Sequence, residues 1–355
     1  MRHSQILILG GGIIGTALAE ELARRGKHVT LIERSTVGAE ASSAAAGILA
    51  SQVDLVEPGP LFDLCQQGRA MYPAWVARLE RASGISVGYH KDGILYIART
   101  ASEERVMQRR IRWQQTLGVR VKVWSPAQVR RHEPAIDADI CRGFFFPDDA
   151  QVDNAVLMQA LARACRVAGV SVREHTTVRR LLVRQGVVRG VDTDRGRMEA
   201  PVVVNCLGSW APLGGRFPVP VPVEPVRGQI LVFRGPRGLL RHSVMTEHGY
   251  MVQRRDGRIL LGSTVEHVGY DKSLTVEGMH KILSGLRRFS SAINHCTFVE
   301  SWAGLRPYSR THQPVMGPTR IAGLYLATGH FRHGILLAPV TAHVITELLL
   351  HRRSS

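Results

Sequence analysis

Gly10, Gly12 and Gly15 form a G-x-G-x-x-G run, and Glu33 follows about 20 residues further on, at the end of the next apolar stretch. Gly10 permits a tight turn, Gly12 lets backbone N–H groups approach a pyrophosphate, and Gly15 lets helix and strand pack closely. A helix N-terminus adds positive potential for the phosphates. Glu33 can accept hydrogen bonds from ribose hydroxyls, and its charge would repel a 2′-phosphate. In a chain with 35 glycines the bare spacing means little. Its place between strand and helix, with the acid present, points to a bound dinucleotide. It does not decide between nicotinamide and flavin.

Three further segments could carry chemistry. Ala41-Ser42-Ser43-Ala44-Ala45-Ala46-Gly47-Ile48-Leu49 is a loop of small residues whose backbone could lie against a flat ring. Ser301-Trp302-Ala303-Gly304-Leu305-Arg306-Pro307 precedes an expected turn and holds Arg306. A guanidinium is planar, always charged and able to grip a carboxylate with two hydrogen bonds. Arginine is also the commonest charged residue here, so composition alone does not single out Arg306. Gly329-His330-Phe331-Arg332-His333-Gly334-Ile335-Leu336-Leu337-Ala338-Pro339 opens a long apolar helix, whose dipole and first N–H groups can stabilise negative charge. Tyr250 sits in an amphipathic stretch, where an aromatic is by itself more often core.

The elements that must position these residues follow from apolar periodicity. Strand 5–9, helix 14–25 and strand 28–32 make an opening βαβ unit, with Gly26 placed to stop the helix. Helices are predicted at 61–82, 103–117, 156–167, 279–288 and 335–350. Strands are predicted within 87–98, broken by Asp92-Gly93, and at 170–173, 177–183, 187–193, 202–207, 229–233, 250–253 and 259–262. Pro218, Pro220, Pro222 and Pro225 mark a transition, because repeated proline breaks regular pairing. The pattern predicts an α/β fold in which a Rossmann-like domain is left and re-entered, with an antiparallel sheet inserted.

Composition narrows the function classes. The 355 residues suffice for one large or two ordinary domains, and 45% hydrophobic with 21% charged residues excludes disorder. Five scattered cysteines (Cys65, Cys141, Cys165, Cys206, Cys296) without C-x-x-C argue against a disulfide framework or a zinc cluster, and no metal ligand set is expected. They fit a reducing, cytoplasmic setting. The net charge of +17 comes from arginines spread along the chain in pairs, so we read no nucleic-acid groove from it. Such a field would still draw in anionic substrates. Met1-Arg2-His3 and the apolar residues behind it imitate a secretory signal, but the glycine run interrupts them. No uncharged run reaches the ~18–20 residues of a membrane span; 200–215 comes nearest and carries Pro201, Asn205 and Pro212.

Taken together, the glycine fingerprint and the segments 41–49, 301–307 and 329–339 resemble the D-amino acid oxidase-type FAD-dependent oxidoreductases, and within them the glycine oxidases of thiamin biosynthesis. The likeness spans essentially the whole chain. It implies a FAD-binding domain of residues 1–86, 146–216 and 306–355, and a substrate-binding domain of 87–145 and 217–305. It implies FAD contacts at Gly10, Gly12, Ile13, Ile14, Gly15, Glu33, Arg34, Ala41, Ser42, Ala46, Gly47 and Ile48. Val178 would meet the adenine side, while Gly208, His330, Phe331, Arg332, His333, Gly334, Ile335 and Leu336 would surround the ring. Arg306 would clamp the substrate carboxylate with help from the Tyr250 hydroxyl, and Arg332 and Ile48 would also face the substrate.

The chemistry so implied is hydride transfer from an amino acid Cα to flavin N5, driven by the amine lone pair. Products are the imine, then glyoxylate and ammonia, with hydrogen peroxide from O2. A thiazole synthase would accept the imine, and the assembly would be a homotetramer. Related sarcosine oxidases hold FAD through a cysteine soon after the position of Arg306; no cysteine follows Cys296, so non-covalent FAD is expected. His333 departs from the small amide side chain that the glycine oxidases lead one to expect there. Competing readings are a D-amino acid dehydrogenase with a non-oxygen acceptor, a hydrogen cyanide synthase-like subunit, a flavoprotein acting on tRNA, and an NAD-binding regulatory domain.

Overall fold

Ile6–Leu9 and Val29–Ile32 are fully buried strands, and the helix Ile13–Arg24 crosses between them so that they pair in parallel. Alternation along the first strand sends Ile6 and Ile8 to one face and Leu7 and Leu9 to the other. In the computed structural model, which describes residues 5–212 and 218–351, this pair is the centre of a six-stranded sheet. Val202–Asn205 and Leu324–Thr328 extend it on one side and Ser171–Arg173 on the other, all parallel; Val315–Pro318 closes one edge antiparallel. Helices Ile13–Arg24, Pro60–Ser83, Asn154–Val167 and Gly334–Leu350 pack on the Ile6/Ile8 face. The three-stranded sheet Val178–Arg184, Val187–Thr193, Gly196–Glu199 packs Leu181, Val188 and Val191 on the Leu7/Leu9 face. This is the layering of a nucleotide-binding α/β domain.

The second body is an eight-stranded sheet in the order Thr297–Ser309, Val223–Arg234, Arg258–Gly262, Gly249–Gln253, Ser243–Thr246, Ile94–Ala98, Arg142–Phe146, Lys122–Trp124. It is antiparallel except where Ser243–Thr246 meets Ile94–Ala98 in parallel, the seam between two separate chain segments. The expected boundary between 216 and 217 lies outside the described residues, as do Met1, Arg2 and His3.

Several expectations need correction. Residues 87–93 are irregular apart from a single bridge, His90 to Gln151, so only Ile94–Ala98 forms the strand. Residues 206 and 207 lie beyond the end of the strand Val202–Asn205. The strand expected at 229–233 runs from Val223 to Arg234, straight through Pro225. Pro225 faces Pro307 across the ladder, where neither residue is asked for an N–H, so the prolines do not break the pairing. The 301–307 segment lies inside the 13-residue strand Thr297–Ser309, a strand not expected from periodicity, and the expected turn follows at Arg310 and Thr311.

Between the two bodies, Asp149 is fully buried and accepts from the Ser51 N–H (2.9 Å) and Oγ (2.7 Å) at Oδ1. Its Oδ2 has no partner, and burial pushes the carboxyl pKa up to about 7. In the unfolded chain the same group titrates near ~3.9. Folding therefore binds a proton between these values, and stability is lost as pH rises from about 4 to about 7. Asp149→Asn keeps the acceptor and removes the charge. It should melt alongside the parent at pH 4 and several degrees above it at pH 8, measured by thermal unfolding monitored by circular dichroism.

Candidate functional site

A cavity of about 770 Å³ opens between the two sheets. Its walls come from the glycine turn, the small-residue loop, the strand Thr297–Ser309 and the start of the last helix. Of the expected residues, Gly12, Ile13, Ile14, Ala41, Ser42, Ala46, Gly47, Ile48, Gly208, Tyr250 and Arg306 line it, together with His330 through Leu336. Gly10, Gly15, Glu33, Arg34 and Val178 do not.

These five have definable positions. At Gly10 φ is +103°, and a Cβ would lie 2.6 Å from the Cys206 carbonyl oxygen; a Cβ at Gly15 would collide with the carbonyl of Gly10. Glu33 is buried and closes the turn, accepting from the N–H of Gly11 (2.7 Å) and of Ser35 (2.9 Å). Arg34 lies 3.8 Å over the Trp210 ring and pairs with Glu40 at 2.6 Å. Val178 stands two residues beyond Thr176, whose N–H donates to the Glu33 carbonyl at 2.9 Å.

The small-residue loop is held from both sides. Ser42 Oγ accepts from the Ile13 N–H at 2.9 Å, at the start of the first helix. Trp302 Nε1 donates to the Ala44 carbonyl at 2.9 Å, and a Cβ at Gly304 would press within 2.7 Å of Ala44 Cβ. Small side chains here leave a flat backbone surface facing the cavity.

The last helix is tied to the Arg306 strand. The Phe331 N–H donates to the Pro307 carbonyl at 2.9 Å, and the Phe331 ring meets Tyr308 edge-on. Positive φ at Gly329 (+75°) and Phe331 (+46°) bends the chain into the helix start. His330 Nε2 lies 3.0 Å from Thr341 Oγ1; burial, with His333 nearby, pulls its pKa down to about 3, so the ring stays neutral. Burial also pushes His333 down, with Asp54 opposing and Arg332 adding to the effect. Arg332 stands exposed at the cavity mouth, its guanidinium 5.2 Å from the Phe331 ring.

Arg306 reaches the cavity held by neutral oxygens. Its Nη1 donates to the carbonyls of Thr264 (3.1 Å) and Arg227 (3.4 Å), and Nη2 to Ser263 Oγ (2.6 Å). A Cβ on Gly228 would collide with the guanidinium, so glycine makes the room. None of these partners, among the described residues, is a carboxylate. Arg227, which is buried where Arg306 is only partly so, contrasts with it: both Glu266 and Asp271 pair with it at 2.6 Å. Desolvation lowers the Arg306 pKa and raises that of Tyr250, whose hydroxyl bonds to Ser263.

Sequence reasoning missed Gly228, Ser263 and Thr264, since their contact with Arg306 spans about 40 residues or more and leaves no local signal. It also missed Asp54, Glu103, Arg110, Glu247 and Lys281 on the cavity wall. His248 also lines the cavity. His242 does not; its Nδ1 lies 2.8 Å from the fully buried Glu133, and its ring packs on Phe145.

Residues 5–348 match the family described as DAO, FAD dependent oxidoreductase. The chain belongs to this family. The glycine oxidase of Geobacillus kaustophilus is 33% identical over 99% of this chain and 94% of its own length, and that of Bacillus subtilis 30% identical over 99% and 94%. The crystal structure of the G. kaustophilus glycine oxidase superposes with a TM-score of 0.95 at 31% identity, covering 100% of this chain and 96% of that one. The bifunctional protein ThiO/ThiG of a Synechocystis strain is 36% identical over 99% of this chain, which spans 52% of its length.

Membership settles flavin over nicotinamide: the cofactor is FAD. The cavity agrees, with a glycine turn at one end, a flat loop of small residues along it, and a helix N-terminus facing in. Gly15→Ala must push the turn apart. The variant is expected to bind FAD about tenfold or more weakly, read as loss of visible absorbance on gel filtration.

Proposed function

We propose that the chain oxidises glycine or another small α-amino acid, with FAD as hydride acceptor and O2 as the final oxidant. The observation that carries this is Arg306: a desolvated guanidinium in the cavity wall, supplied with carbonyl and hydroxyl oxygens and, among the described residues, paired with no carboxylate. A substrate carboxylate completes it. The chain spans about half the length of the first curated relatives it matches, 52–53%. Its likeness to proteins called glycine oxidase, over at least 92% of their length, supports the choice of small substrates.

In this reading FAD, when bound, accepts the hydride leaving the substrate Cα and is reoxidised by O2 to give hydrogen peroxide. The protein supplies orientation. Arg306 and the Tyr250 hydroxyl fix the carboxylate, and the substrate amine, once deprotonated, pushes the hydride out. Tyr250 stays protonated well into the basic range, because burial raises its pKa, so it remains a donor. His330 is neutral and engaged with Thr341, which leaves it a structural part. The imine product adds water and yields glyoxylate and ammonia when the substrate is glycine.

The proposal extends to non-covalent FAD, to a cytoplasmic homotetramer, and to a thiazole synthase as imine acceptor. For the last, the support is that this chain matches one half of proteins named bifunctional ThiO/ThiG. Among the described residues no helix is long and apolar enough to cross a membrane.

The test is aerobic peroxide production by the purified, yellow protein with glycine, sarcosine, D-alanine and D-proline. Arg306→Ala should keep its colour and lose about a thousandfold in kcat/KM, the scale expected when a buried charge pair loses one partner. Tyr250→Phe should raise KM about tenfold with a smaller change in kcat. An Arg306→Ala enzyme with parental kcat/KM would overturn the assignment.

A further inference from the structure

Arg254 follows directly on the strand Gly249–Gln253, four residues beyond Tyr250, and only 7% of its surface is exposed. Its guanidinium leaves its own sheet and spans three partners on the nucleotide-binding side. Nη2 donates to the Ala46 carbonyl (2.7 Å) and to Asn154 Oδ1 (3.1 Å), and Nη1 to Gln151 Oε1 (3.2 Å). Each partner acts on the small-residue loop. Ala46 belongs to it, and Gln151 pairs with Ile48 across a two-stranded ribbon. The Asn154 amide nitrogen donates to the carbonyls of Ser42 (2.8 Å) and Ser43 (2.9 Å).

The fit is close enough to constrain the sequence. Gly47 has φ +66°, and a Cβ there would collide with the Val152 carbonyl and sit 2.9 Å from Arg254 Nη2. Arg254 has no carboxylate partner among the described residues. The nearby Asp153 and Asp256 are taken by Arg258, at 2.9 and 2.7 Å. Burial lowers its pKa to about 10, which leaves it charged at neutral pH. A cation is thus buried behind the cavity-lining residues Ala46 and Gly47, in a place where neutral packing would have been cheaper.

We propose that Arg254 is a positioning residue: it fastens the loop of residues 42–48 to the sheet that carries Tyr250 and Arg306, and so fixes the flavin ring relative to the bound amino acid. The inference rests on the FAD and amino acid reading of the cavity. Because the carboxylate clamp and Arg254 share a sheet, loosening Arg254 shifts the ring and leaves the clamp. The buried charge also favours the extra negative charge of a reduced flavin.

The test uses the FAD-loaded protein and its Arg254→Gln and Arg254→Lys variants. Arg254→Gln should weaken FAD binding about tenfold, read by titrating apoprotein with FAD fluorescence, and lower the flavin reduction potential. Its kcat should fall about tenfold while KM stays near the parental value, the reverse of the Tyr250→Phe pattern. Arg254→Lys keeps the charge but cannot span three acceptors, so it should restore the potential and not kcat. Should the glutamine variant fail to fold, the lysine variant's kcat against KM decides. Variants that unfold earlier yet retain parental FAD affinity, potential and kcat would overturn the proposal. A parent protein that shows no activity on any amino acid would instead overturn the functional reading.

Discussion

A guanidinium removed from water must be given acceptors for its five N–H groups and, if possible, an opposing charge. Around the cavity this chain meets the first demand and withholds the second. Arg227 shows what full neutralisation looks like, with two carboxylates at 2.6 Å. One residue along, Gly228 leaves space for Arg306, whose bonds go to carbonyl and hydroxyl oxygens alone. Holding a cation in this way costs stability, and the cost makes sense when an arriving anion offsets it. Geometry and selectivity follow together, because a carboxylate satisfies both remaining directions of the fork.

In the proposed reading, the rest of the architecture presents that fork to the flavin ring. The Phe331 N–H bond to the Pro307 carbonyl binds the last helix to the Arg306 strand, which ties the helix N-terminus to Arg306. Trp302, on the same strand, reaches the Ala44 carbonyl, and Ser42 reaches the first helix. Each contact is individually modest. Together they link the glycine turn, the flat loop and the Arg306 strand, one contact backbone to backbone and two from a side chain to a backbone atom.

What could be read in the sequence was what is local. The G-x-G-x-x-G turn, its flanking strands and the helix Ile13–Arg24 need only near neighbours, and the periodicity shows them within a residue or two. The loop 41–48 and Arg306 were found through resemblance, since an alanine run or one arginine among many carries no local signal. Pairings of distant segments were illegible. Nothing near Pro225 announces that Pro307 will face it, and nothing near Ser263 points to Arg306. The strand Thr297–Ser309 escaped notice because its first four residues are exposed and its alternation is weak. Residues 87–93 misled for the opposite reason, β-favourable side chains without a partner strand to receive them beyond one bridge.

The strand Leu324–Thr328 completes the parallel sheet beside Val202–Asn205, and Thr297–Ser309 completes the other sheet beside Val223–Arg234. Each sheet is therefore finished by a strand that emerges after the strands it pairs with. Until they arrive, the earlier strands present open edges with unpaired amide groups, a hazard for self-association that a chaperone or quick pairing of the later strands must cover. A chain stopped before residue 297 would lack the outer strand of one sheet and the two outer strands of the other, leaving Val223–Arg234 and Val202–Asn205 as raw edges.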